Sequence, residues 1–128
     1  LRLARAVKEH NLRRVLFVDF GKNMLPYYLA AQKCGLEIVA IADRALGELG
    51  GRYRRIPIVP DDLARKLSFD GAIISNLSPA HAALRRNAWR LGGDTRPVID
   101  LFEDGRYASV TFAARASQGF PQTVAQSA

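Results

Sequence analysis

The chain has 128 residues, enough for one domain with a sizeable core. Its 19 basic and 12 acidic residues give a formal charge of +7, which suits anionic partners (nucleotides, nucleic acid, an acidic protein surface) and equally suits plain solubility. The single cysteine, Cys34, excludes a disulfide framework and a multi-cysteine zinc site; no apolar run nears the roughly 20 residues that span a bilayer.

Leu1 to Asn11 reads as a short helix with Leu3, Ala6 and Val7 on one stripe. Val15-Leu16-Phe17-Val18 is a continuous apolar run, as expected of a strand covered on both faces. A turn over Asp19 to Asn23 leads to a helix from about Met24 to Cys34, with Asn23 as N-cap and Gly35 as its stop. Glu37 to Ala42 is a second strand. Asp43 to Arg55 reads as loop with a helical turn, and Ile56 to Val59 as a third strand whose Pro57 argues for an edge or a strand start. Asp61 to Leu67 is a short helix and Ala72 to Ile74 a fourth strand. Ser78 and Pro79 open a helix with Leu84, Ala88 and Leu91 as its core stripe. Pro97 to Leu101 is a fifth strand, and Tyr107 to Ala113 could add another. Alternation of this kind predicts a Rossmann-like α/β domain: a mainly parallel five-stranded sheet, order 3-2-1-4-5, with helices on both faces. The domain spans residues 1–116, and 117–128 reads as a flexible tail or linker. Cys34, near a helix end, reads as a packing residue.

Ligands of such sheets bind beyond the carboxyl ends of the strands. That edge comprises Asp19 to Asn23, Asp43-Arg44 and Asn76 to His81. The binding candidates are Gly21, Lys22, Asn23, Asp43, Arg44, Asn76 and Ser78. Set against the fingerprint G-x-G-x-x-G, the first turn has Asp19, Gly21 and Met24, so only the middle glycine is kept. Asp19 should repel a phosphate and Lys22 could offset it; the other reading is a tight turn that has lost its ligand. Asp43 ends the second strand, where an acid grips ribose hydroxyls, or is a solvated turn carboxylate. Arg44 could meet a 2′-phosphate or an adenine face. Ser78 either caps its helix or joins the helix N–H groups in holding an anion. His81 has no partner acid that would make it a proton-transfer group.

Arg52, Arg54 and Arg55 flank Tyr53, and Arg85, Arg86 and Arg90 share a helix with Trp89. No helix-turn-helix, zinc module or RNA-binding aromatic motif accompanies them, so they read as solvated faces or protein contacts, Trp89 pointing out of the domain. Nucleic acid is therefore not expected as a partner, whereas a protein domain or a second copy is.

From Arg14 to about Phe102 the chain resembles Rossmann domains of the CoA-binding/NAD-binding type. The carrying pieces are Val15 to Val18, Gly35 to Asp43, Ile56 to Val59 followed by Asp61-Asp62-Leu63, and Ala72 to Asn76. It is most similar to the nucleotide-binding domain of nucleoside-diphosphate-sugar epimerase/dehydratase proteins; related domains occur in sugar acyltransferases, methyltransferases and redox-sensing NADH-dependent repressors. The resemblance implies NAD, NADP or another nucleotide as cofactor, but the departures at Asp19 and Met24 fall on the loop that contacts it, so the chain could hold none. None of Tyr27, Tyr28, Tyr53 or Tyr107 has a lysine four residues on, so the tyrosine–lysine pair of such enzymes is missing here. The expected function is a non-catalytic accessory or regulatory domain of a larger protein, in the cytoplasm; the alternative is the cofactor-binding part of a sugar-nucleotide enzyme.

Overall fold

A computed structural model describes residues 2–21, 24–75, 78–91 and 94–101. In chain order the elements are α1 (Arg2–His10), β1 (Arg14–Val18), α2 (Met24–Lys33), β2 (Glu37–Ala42), a 3-10 turn (Leu46–Leu49), β3 (Arg52–Tyr53), β4 (Ile56–Val59), α3 (Asp61–Arg65), β5 (Gly71–Ile74), α4 (Pro79–Arg90) and β6 (Val98–Asp100). The possible strand at Tyr107 to Ala113 and the tail at 117–128 lie outside the described residues.

The sheet order is β3-β4-β2-β1-β5-β6. All pairs are parallel except β3 with β4. The α/β, mainly parallel architecture is therefore as expected, and β4-β2-β1-β5-β6 reproduces the order 3-2-1-4-5. The count of five is corrected to six. A two-residue strand, Arg-Tyr, is too short to show alternation and so carries no strand signature. Pro57 stands opposite Arg52, ahead of the residues of β4 that pair with β2, so its missing N–H interrupts no ladder bond there.

β1 sits at the centre, and Val15, Leu16, Phe17 and Val18 are completely buried. Alternate side chains feed two cores. Val15 and Phe17 join Leu3 and Ala6 of α1, Met24, Tyr27 and Ala31 of α2, and Ile73. Leu16 and Val18 join Ala64 of α3, Ala72, Ile74, and Ala82 and Trp89 of α4. A register shift occurs between Val15↔Ile38 and Leu16↔Ala40, leaving Val39 as the extra residue. Val39 and Ala40 consequently both serve the α3–α4 face, as a bulge requires. Cys34 packs against the other core, half-buried, as expected.

The inward face of α4 is not the expected one. Leu84 and Leu91 are 68% and 71% exposed, while Ala82, Arg85 and Trp89 are buried. Residues three and four apart share a helix face, so the stripe 82-85-89 is as regular as 84-88-91. Burying the indole outweighs burying either leucine. Trp89, expected to point out of the domain, is 1% exposed and meets Phe69 edge-on at 6.3 Å. Among the described residues no helix is long and apolar enough to cross a membrane.

Candidate functional site

Groups at the carboxyl ends of β1, β2 and β4 meet α4 at Arg85, which organises the chemistry there. Its guanidinium is taken into the α3–α4 face because the helix turns that way to bury Trp89. Nε donates to Asp19 Oδ1 at 2.7 Å; Nη1 and Nη2 donate to Asp61 Oδ2 and Oδ1 at 2.7 and 2.8 Å. Nη2 also reaches the carbonyl of Ala42 at 3.5 Å. The Arg85 side chain is 5% exposed, those of Asp19 and Asp61 17% and 24%. Burial works against the guanidinium's charge, but the hydrogen bonds and charge of Asp61, with the charge of Asp19, outweigh it and hold Arg85 above its ordinary value. A paired bidentate fork of this kind is among the stronger polar contacts a protein makes.

Asp19 stands at the first glycine of the fingerprint, and its φ is 78°. That left-handed backbone is what a glycine there permits at no cost. Asp19 thus holds a backbone conformation that favours the glycine it replaces. The carbonyl of Asp19 and that of Val18 both accept from the buried Ser75 hydroxyl, each at 2.8 Å. Gly21 is exposed, has no left-handed φ, and a Cβ there would meet nothing within 4 Å. Met24, at the third glycine, is 2% exposed and fills the space between α2 and the sheet. Lys22, Asn23 and Asn76 lie outside the described residues.

Asp43 is 8% exposed. Its Oδ2 accepts from the N–H of Phe20 at 2.9 Å; its Oδ1 accepts from the N–H groups of Ala45 and Leu46 at 3.0 and 2.8 Å. The carboxylate thus ties the loop after β1 to the loop after β2 and caps the 3-10 turn. Gly47 in that turn lies so close to β4 that a Cβ would stand 2.4 Å from the nitrogen of Pro60. Arg44 is exposed. Ser78 occupies the N-cap of α4 without a side-chain cap bond, so the expected capping bond is not what places it. His81 is exposed on the first turn of α4. The structure therefore gathers Gly21, Asp43, Arg44 and Ser78 along one edge. The residues that sequence reasoning missed are Arg85 and Asp61, read as a surface base and a helix-dipole acid.

A concavity of about 240 Å³ lies at the β6 side of the sheet, lined by residues of α1, β6 and Arg90. Arg2 donates there to the carbonyl of Leu101 at 3.2 Å, and Arg90 to that of Val98 at 2.8 Å. These are carbonyl contacts of an edge strand, away from the strand ends that carry Asp19 and Asp43. No group of three or more metal-ligating side chains occurs among the described residues.

Comparison with protein-family models gave no match, and neither did comparison with curated proteins. Two solved structures are similar in overall course. One is titled as RSP in complex with β-NAD+ and operator DNA: 13% identity, TM-score 0.48, covering 91% of this chain and 63% of that one. The other is titled as RSP, a Rex-family repressor: 14% identity, TM-score 0.46, covering 91% and 65%. The chain thus spans less than two thirds of the length of either. Neither comparison points to the sugar-nucleotide epimerases and dehydratases. The expectation that sets nucleic acid aside as a partner is corrected on the first finding, because a chain of similar course is held there with operator DNA.

Proposed function

We propose that this is a Rossmann-like domain of nucleotide-binding type that works without catalysis, as an accessory or regulatory part of a larger protein. The observation that carries the reading is Arg85. A buried cation stands at the strand ends where this fold presents its ligands, and two of the protein's own carboxylates hold it. A ligand phosphate has to compete with Asp19 and Asp61, so affinity is modest and responsive to the state of that cluster. The ligand lies across the Gly21 turn toward Asp43 and Arg44, with Lys22, Asn23, Asn76 and Ser78 as further contacts. NAD, NADP or a related nucleotide is the ligand class; the setting is cytoplasmic.

The test is titration calorimetry with NAD, NADP, nucleotide sugars, CoA and S-adenosylmethionine, run beside turnover assays. Expected is saturable binding of a nucleotide in the high-micromolar range or weaker, reduced by Asp43→Ala, and no turnover. Turnover abolished by His81→Ala, or no nucleotide binding at millimolar concentration, would overturn the proposal.

A further inference from the structure

The hairpin between β3 and β4 is built against its own sequence. Tyr53 pairs with Ile56, and the two residues between them, Arg54 and Arg55, have φ of 47° and 73°. A two-residue turn with both φ positive is ordinarily made by Asn-Gly or Asp-Gly, since other side chains are strained there. Two arginines occupy it, and both are exposed, so core packing does not explain them. Arg52, also exposed, reaches across the turn and donates to the carbonyl of Arg55 at 3.2 Å. None of the three is in an ion pair with a described residue.

Arg54 is held flat. Its guanidinium carbon lies 5.3 Å from the ring centre of Tyr28 and 5.7 Å from that of Tyr53. Its Nε donates to the Tyr53 hydroxyl at 3.3 Å. The two tyrosines meet edge-on at 5.9 Å, and Phe20 meets Tyr53 at 5.3 Å. All three rings are half-buried. The result is an exposed arginine resting on an aromatic base, between two further cations that have no counter-ion among the described residues.

We infer that this hairpin is a docking surface for single-stranded nucleic acid. Three guanidinium groups with no ion pair among the described residues complement a run of phosphates. The fixed plane of Arg54 is a surface on which a nucleobase stacks. An acidic protein segment would satisfy the charges but leaves that plane without a ring partner. The three arginines belong to the β3–β4 hairpin and Arg85 to α4, so either reading can fail alone.

The experiment measures binding of a fluorescent 20-mer oligothymidylate to the full chain across salt concentrations. Three phosphate contacts predict a slope of log K against log salt of about −2. Combining Arg52→Gln, Arg54→Gln and Arg55→Gly should weaken binding about tenfold or more and flatten the slope toward zero. Arg55→Gly alone relaxes the turn and raises Tm, so a folding defect cannot account for the loss. Arg54→Lys keeps the charge and hence the slope, yet lowers affinity severalfold by removing the plane. Absence of salt-dependent binding by the unaltered chain would overturn the inference, as would full binding by the triple variant. Oligoglutamate of equal length binding as tightly would assign the surface to an acidic protein and overturn it too.

Discussion

Two arginines brace opposite edges of the sheet, and they do different work. At the amino edge Arg96 donates to the carbonyls of Arg65 and Leu67 at 2.8 and 2.9 Å. It forks onto its near neighbour Asp94 and lies 3.6 Å from the centre of the Phe69 ring. Its charge is met locally, by carbonyls at the end of α3 and a carboxylate two residues away. This is a staple between the end of α3 and the approach to β6. Arg85 at the carboxyl edge instead joins Asp19, after β1, to Asp61, after β4. Both stand at the carboxyl edge, where a Rossmann-like sheet places its ligand contacts. The amino edge is tied by a local ion pair and carbonyls; the carboxyl edge is tied by ion pairs that, under the proposed nucleotide reading, stand where a ligand's charges would.

Removing each arginine separates the two roles. Arg85→Ala leaves two carboxylates facing one another and should cost about 3 kcal/mol, the low end for a broken buried pair because both acids keep some solvent. Arg96→Ala should cost about 2 kcal/mol, the worth of its hydrogen bonds. Urea unfolding measures both; equal losses would erase the distinction. Trp89 sharpens the comparison, because it turns Arg85 inward. Trp89→Ala should cost about 3–5 kcal/mol, while Leu84→Ala, on the exposed stripe, stays within about 0.5 kcal/mol. A reversed order in the same unfolding series would return α4 to the face its leucines suggest.

How α4 was misread shows what a sequence displays. Five of the six strands were legible because each is built on a short apolar run, which needs no partner to be recognised, whereas β3, Arg52–Tyr53, was not. The helix face depended on weighing two leucines against one tryptophan. The spacing Ala82-Arg85-Trp89 was the available signal, hidden by the arginine in its middle. Whether Arg85 could be buried depended on Asp19 and Asp61, 66 and 24 residues away. Asp43 was found from its place at the end of β2, but its three backbone N–H contacts belong to the folded loops. Asp19 was recognised as a displaced glycine; that its backbone would keep the glycine's conformation shows only in three dimensions.

Gly47→Ala probes the carboxyl edge from its other side. The added Cβ would strike the backbone of Val59 and Pro60, so a loss of about 1–3 kcal/mol is expected in urea unfolding. A neutral result would mean that the loop after β2 moves freely, and that Asp43 does not hold it.

The pH dependence is smaller. Asp94 is held at about 2, chiefly by its hydrogen bond from Arg96, against an ordinary 3.8. A depressed carboxylate stabilises above its ordinary value and loses that contribution as pH falls from about 4 to about 2. Asp70, held low by the N–H groups of Arg14 and Arg13, acts in the same direction. Tyr27 is pushed up to about 12, first by burial and then by Asp100, from 10.0. Its contribution is complete below pH 10 and is lost as pH rises to about 12. Tyr27→Phe should therefore flatten the alkaline fall of Tm and leave the acid limb unchanged. An alkaline limb identical to that of the unaltered chain would remove Tyr27 from the account.

The central claim is that Asp19 and Asp61 stand in for a ligand's phosphates at Arg85, and Asp19→Gly tests it most directly. The substitution relaxes a left-handed residue, removes one carboxylate from the guanidinium and restores the fingerprint's first glycine. Titration calorimetry with ADP, NAD and inorganic pyrophosphate should show affinity rising at least about fivefold, equivalent to about 1 kcal/mol. Asp61→Asn should give a smaller rise in the same direction. Affinity that stays the same or falls in Asp19→Gly would contradict the claim, leaving Arg85 and its two acids as a brace with no ligand to replace.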